Sequence, residues 1–99
     1  MSMVVVVATV DVYLPGVASL KEKRGILKAL IARLHKVFNI AVAEVDLNDV
    51  WQSAALGMAI VSTSAAHAES KLENVLGWIE RNRPDVQIED HTFEVIHFS

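Results

Sequence analysis

The sequence predicts an α+β sandwich in the order β-α-β-β-α-β, two helices lying on one face of a four-stranded antiparallel sheet. Three observations lead there. Four runs rich in Val, Ile and Ala are short enough to be strands, two longer segments keep apolar residues at helical spacing behind a serine cap, and 99 residues suffice for only one core. The chain is therefore read as a single domain, residues 1–99.

Met3 to Leu14 is β-branched and alternates Thr9, Asp11 and Tyr13 against Ala8, Val10 and Val12, the pattern of a half-buried strand that Pro15-Gly16 stops. Ser19-x-x-Glu22 is a capping box, and Leu20, Leu27, Leu30, Ile31, Leu34 and Phe38 continue the helix it opens until Asn39. Ile40 to Asp46 is the second strand, and a polar connection from Leu47 to Gln52 follows. Ser53 to Ser62 is the third strand, with Leu56, Met58 and Ile60 on one face and Ala55, Gly57 and Ala59 on the other. Ser64 caps a second helix whose apolar face is Ala68, Leu72, Val75, Leu76 and Ile79; Pro84 lies past its end, and Val86 to Phe98 is the last strand. With right-handed crossovers this order is the ferredoxin-like sandwich, its second sheet face left open or covered by another chain. Leu27, Leu30, Ile31, Leu34, Val75, Leu76 and Ile79 are the expected core between helices and sheet.

Composition excludes several classes of function. There is no cysteine, so disulfides and thiolate metal sites are ruled out, which fits a cytoplasmic protein. The apolar run from Met3 to Ala8 is too short to span a bilayer, and no basic segment precedes it as in a signal peptide. His91 and His97 are six apart on one strand, roughly 20 Å at strand rise, so they cannot share an ion. His67 lacks ligand spacing, and Glu44, Asp46 and Asp49 are a weak Mg²⁺ signal, so no metal is expected. Asp85, Glu89, Asp90 and Glu94 gather in and before the last strand, and Glu89, without a paired carboxylate or a nearby base, is read as a solubility or edge-protection residue. No Gly-rich phosphate loop, dinucleotide fingerprint or nucleophile–base arrangement is present. The expectation is a protein that is not an enzyme and has no cofactor.

Charge is distributed unevenly. Six of the nine Lys and Arg residues lie in the first helix, at Lys21, Lys23, Arg24, Lys28, Arg33 and Lys36, against the single acid Glu22. That segment carries +5 in a chain of net charge −3, leaving −8 elsewhere. On a wheel of about 100° per residue, Lys21, Arg24, Lys28 and His35 line one flank of the apolar stripe, while Lys23 falls on the stripe itself. Lys21, Lys23 and Arg24 crowd a helix N-terminus where the macrodipole is already positive, and each such cation costs roughly 0.3–1 kcal/mol at low salt. Free N–H groups, dipole and cations together predict an anion trap suited to phosphate, with Lys23 and Arg24 at the surface near Pro15-Gly16. The plainer alternative is a solvated face whose cations pair with neighbouring acids. Gly25 sits inside this block at a helix-interior cost of up to about 1 kcal/mol relative to Ala.

Trp51, in the polar connection, is placed either to stack on a base or anchor a partner, or to fold back over the end of the core. The aromatic pattern of an RNA-recognition motif is absent: Ala55, Gly57 and Ala59 occupy the third strand's outer face, and Tyr13 alone is aromatic on the first. Any RNA contact is thus expected through the helix and loops. A small-residue sheet face is either simply an exposed alanine-rich surface or suited to close packing by another chain; the expectation is a homo-oligomer, a homodimer first of all, through that face or an edge strand.

Leu14-Pro15-Gly16 followed by Ser19-Leu-Lys-Glu-Lys-Arg24, then Phe38-Asn39, Ala43-Glu44-Val45, Trp51-Gln52 and Leu56-Gly57, resembles the YlxP-like family of small bacterial proteins of unknown function. The resemblance spans nearly the whole chain; Gly25 within the basic block, Thr9 and Tyr13 depart from it. It implies the ferredoxin-like fold reached above. The frequent placement of its members among genes for translation and ribosome maturation implies RNA, and the family supplies no catalytic residues to carry over. The leading expectation is a non-catalytic factor associated with structured RNA or a ribosomal particle, contacting phosphates through Lys21, Lys23, Arg24 and Lys28, with His35 and Trp51 adjoining. Its overall acidity favours a local footprint over coating of nucleic acid, and neither DNA nor membrane is an expected partner. The alternative is a homodimeric interaction module whose cations meet an acidic protein surface. A third reading, a small-ligand or phosphate-ester enzyme, lacks a visible acid–base pair.

Overall fold

The structure, a computed structural model, describes residues 2–47 and 49–98. Met1, Asn48 and Ser99, which fall within the expected domain and polar connection, lie outside the described residues. The elements follow in the expected order: β1 (Met3–Tyr13), α1 (Leu20–Val37), β2 (Ala41–Asp46), β3 (Ser53–Ser62), α2 (Ala65–Asn82) and β4 (Gln87–Phe98). The four strands form one sheet of order β2-β3-β1-β4, antiparallel at every pairing, with both helices against one face. This is the ferredoxin-like α+β sandwich.

The alternation in β1 fixes which face is buried. Val4, Val6, Ala8, Val10 and Val12 point inward and are buried, and the strand pairs without interruption from Val4↔Ser62 to Tyr13↔Ser53 along β3. Leu56, Met58 and Ile60 share that inner face, as expected. Helix α1 starts at Ser19, whose Oγ accepts from the Glu22 N–H at 3.1 Å. The Glu22 carboxylate reaches back to the N–H of Ala18, also 3.1 Å, one residue earlier than in a standard capping box. Ser64 Oγ accepts from the His67 N–H at 3.3 Å and opens α2 in the same manner.

Leu27, Leu30, Leu34, Val75, Leu76 and Ile79 are buried together with β1 and β3. Ile31, expected beside them, is only partly covered. It sits roughly 70° from the centre of the α1 stripe, where the helix surface turns away from the sheet. At the far end of the core Phe38 meets Trp78 edge to face, centroids 6.4 Å apart. A β-carbon at Gly25 would meet no atom within 4 Å, so packing within the chain does not require that glycine.

After α2, Arg83 holds Asp85 in a two-pronged pair, Nε to Oδ1 at 3.0 Å and Nη2 to Oδ2 at 2.8 Å, which fixes the turn around Pro84. The hydrogen bond from Arg83 sets the Asp85 carboxyl below its ordinary value of 3.8. A lowered folded-state value means the pair's contribution is fully present above the ordinary carboxylate range and is lost as pH falls from there through the lowered value. Because Asp85 is 43% exposed, the contribution is small, about half a kcal/mol or less. Urea titrations from neutral pH downward should therefore show Asp85→Asn destabilising slightly at neutral pH and progressively less as the pH falls below the carboxylate range.

Candidate nucleic-acid interface

Of the residues expected to bind anions, Lys21, Arg24, Lys28 and His35 lie exposed along one flank of α1. Lys23 does not. It is 0% exposed and is the one buried charged side chain among the described residues, which overturns its expected place at the surface. The helical wheel explains why: Lys23 occupies the middle of the stripe defined by Leu27, Leu30 and Leu34, pointing at the sheet and away from solvent.

Its ammonium is anchored where α1 overhangs the β2–β3 connection. It donates to the carbonyl oxygens of Leu47 at 2.7 Å, Ser53 at 3.1 Å and Val50, and Glu44 Oε2 stands 2.8 Å away. Among the described residues four acceptors surround a group with three protons, and the buried Glu44 oxygen is held by charge, without a directed hydrogen bond of its own. Leu47 has φ 61, the left-handed region that a bulky residue adopts only under constraint. Its carbonyl accepts from both Lys23 and the Val50 N–H, at 3.0 Å from the latter, so the ammonium sits at the hub of this turn.

Two further bonds tie the same connection to the one before α1: Leu14 N–H to Gln52 O at 2.8 Å, and Gln52 Nε2 to Val17 O at 3.3 Å. The β1–α1 and β2–β3 connections thus form a single unit at one end of the sheet. Trp51 belongs to it and is 52% exposed, so it does not fold back over the core. Leu47 and Val50 are also exposed beside it.

The signal for this pair was present in the chain. Glu44 pairs with Leu56 and so takes an inward position on β2 between apolar neighbours, just as Lys23 does on α1. Opposite charges on two core-facing positions imply each other, because either alone would be too costly to bury. Reading Glu44 with Asp46 and Asp49 as a faint Mg²⁺ signal obscured it. Among the described residues, no three His, Cys, Asp or Glu side chains gather as a metal site. The groove of about 300 Å³ between α2 and β4 holds His91, Glu69 and Glu73 without converging them.

What remains for an anion is smaller than a trap of three cations. The Ser19 hydroxyl takes the Glu22 N–H, the Glu22 carboxylate turns back to the N–H of Ala18 ahead of the helix, and Lys23 is turned inward. Lys21 and Arg24 stay exposed in the first turns, Lys28 continues their flank, and the unit bearing Trp51 is fastened to the same end of the helix through Lys23. Among the described residues no helix is long and apolar enough to cross a membrane.

Known proteins resemble this chain in two ways. The uncharacterized protein YlxP of Bacillus subtilis (strain 168) is 40% identical over 62 residues, covering 63% of this chain and 67% of that protein. The structure of De novo designed protein Foldit4 superposes with a TM-score of 0.49 at 16% identity, covering 98% of this chain and 97% of the other. A family model described as Protein of unknown function (DUF503) matches residues 5–93, and the chain belongs to that family.

Proposed function

We propose that this chain is a non-catalytic, cytoplasmic factor that binds structured RNA, free or in a ribosomal particle, through Lys21, Arg24 and Lys28 on α1, with Trp51 on the connection that Lys23 fastens to the same end of the helix. The observation that carries the reading is the exposed file of three cations on one helix flank, in a chain whose net charge is −3. Lys21 and Arg24 stand against the helix dipole, an arrangement that stability alone disfavours. No core contact accounts for their position, in contrast to Lys23. An exposed indole supplies the flat apolar surface on which an unpaired base stacks, while the cations hold the backbone. The acidic remainder repels a second phosphate track and confines the footprint to this end of the molecule.

Binding of a hairpin RNA across a salt series tests it. Affinity should fall steeply and linearly in log–log form, and Trp51→Ala should weaken it by roughly tenfold, the usual loss for one stacked base. No binding at 50 mM salt would remove the reading.

The exposed Trp51, Leu47 and Val50 favour a second reading, a module recognising an acidic protein surface, since an apolar centre ringed by charge is how protein partners are anchored. Retention of one protein after nuclease treatment would select it.

A further inference from the structure

From the open face of the sheet we infer that this protein forms a two-fold homodimer in which two copies pack sheet to sheet over the half bearing Val5, Val7, Val61, Ile96 and Phe98. The inference is independent of whether RNA binds α1. Registers Val5↔Val61, Val5↔Ile96, Val7↔Ala59 and Met3↔Phe98 place these side chains on the face opposite the helices. Among the described residues no helix or loop lies over this face: Phe98 is 64% exposed, Val61 61% and Ile96 47%, with Val5 and Val7 partly covered between them. A monomer rarely leaves a contiguous apolar patch of this kind in water.

The face is graded along the strands. At the other end Asp11 pairs directly with Asp90, two like charges that are costly side by side and must stay hydrated. Glu94 lies between the two ends, opposite Val7. No lysine or arginine lies on any of the four strands. That composition rejects a nucleic acid or an anionic bilayer, because neither finds a cation to meet its phosphates. It admits a second identical face whose apolar half overlaps this one while the acidic ends diverge into solvent.

Shape agrees, and size places the contact at the small end. The whole face, four strands at about 4.8 Å spacing and ten residues at about 3.3 Å rise, is roughly 600 Å². Its apolar half with the low middle is roughly 400 Å², below the roughly 800 Å² per partner of a standard interface and suited to a dimer that forms at micromolar concentration. The middle of the face is low, made of Ala41, Ala43, Gly57 and Ala59, and leaves a shallow depression of about 360 Å³ that includes Val7 and Thr9. Gly57 is low of necessity, since a β-carbon there would come within 2.7 Å of Val45 Cγ1. Side chains from a second copy can enter this depression, as interdigitation of two sheets requires. Two-fold closure satisfies both patches at once and leaves no apolar surface to propagate a fibre. The two α1 helices then face outward on opposite sides of the dimer.

The test is the mass of the full chain by sedimentation equilibrium or light scattering up to high micromolar concentration. The expected result is a dimer, with Val61→Asp weakening association by roughly a hundredfold or more through burial of two charges. Val61 is exposed in the single chain, so the variant should keep its far-ultraviolet circular dichroism. Should it fail to fold, Val61→Cys decides: with no native cysteine, oxidation should link two chains through this face, and Lys28→Cys on α1 should not link them. A wild-type monomer overturns the inference, including one that takes up phosphatidylcholine vesicles through this face. So does a dimer that survives Val61→Asp.

Discussion

Replacing Lys23 by methionine should lower the stability of the chain by about 3–5 kcal/mol, the usual loss when one partner of a buried ion pair is removed. The fully apolar methionine side chain does not offset it. Glu44 would be left facing an empty place, and the carbonyls of Leu47, Val50 and Ser53 would lose a charged donor. The left-handed backbone at Leu47 would lose the contact that holds it, and the turn that carries Trp51 would loosen. Glu44 is 18% exposed, so water can reach its carboxylate and the loss should fall toward the lower end of that range. Glu44→Gln should cost less, about 1–2 kcal/mol, because the carbonyls still hold the ammonium. Urea unfolding of Lys23→Met, Glu44→Gln and the double variant measures the coupling between them. If Lys23→Met unfolds at the same urea concentration as the wild type, the buried pair does not hold this end of the fold.

Replacing Lys21, Arg24 and Lys28 together by glutamine should weaken binding to structured RNA by about a hundredfold at moderate salt, taking each phosphate contact as about 1 kcal/mol. The loss should be alike for different RNA sequences, since phosphate contacts carry no base identity. The log–log salt slope should flatten by roughly one unit for each contact removed. Stability should not fall, and a small gain is expected, because Lys21 and Arg24 oppose the helix dipole at about 0.3–1 kcal/mol each. Lys23 has to be left intact in this variant. Adding Lys23→Gln to the set would break the buried pair, and the resulting unfolding would be mistaken for lost binding. Binding lost with stability kept assigns the three cations to function, whereas stability lost with binding kept assigns them to the fold.

Why the fold was readable in the chain, and the site only partly, comes down to periodicity against depth. The alternation from Val4 to Val12, the serine caps at Ser19 and Ser64 and the stripe Leu27, Leu30, Leu34 are local patterns, and each local pattern agrees with the sheet they build. The flank Lys21, Arg24, Lys28 and His35 was likewise visible as a helical spacing and is exposed as expected. Lys23 belongs by angle to the stripe and by charge to the flank, and its angle sets where it lies. Its partner Glu44 lies 21 positions further on in another element, so no local rule joins them. Ile31 shows the converse, an apolar residue counted as core although its angle places it at the edge of the stripe. Trp51 had two possible places, inward or outward. Only the tethering of its connection by Lys23 and Gln52 decided for solvent.

The central claim, that the exposed α1 cations hold RNA, is met most directly by what accompanies the tagged chain when it is isolated gently at low salt. Wild-type protein should bring down structured RNA or ribosomal particles that nuclease removes and moderate salt releases, and the Lys21→Gln/Arg24→Gln/Lys28→Gln variant should bring down neither while unfolding at the same or higher urea concentration. Recovery of one acidic protein insensitive to nuclease, or equal recovery of RNA with wild type and variant, would contradict it.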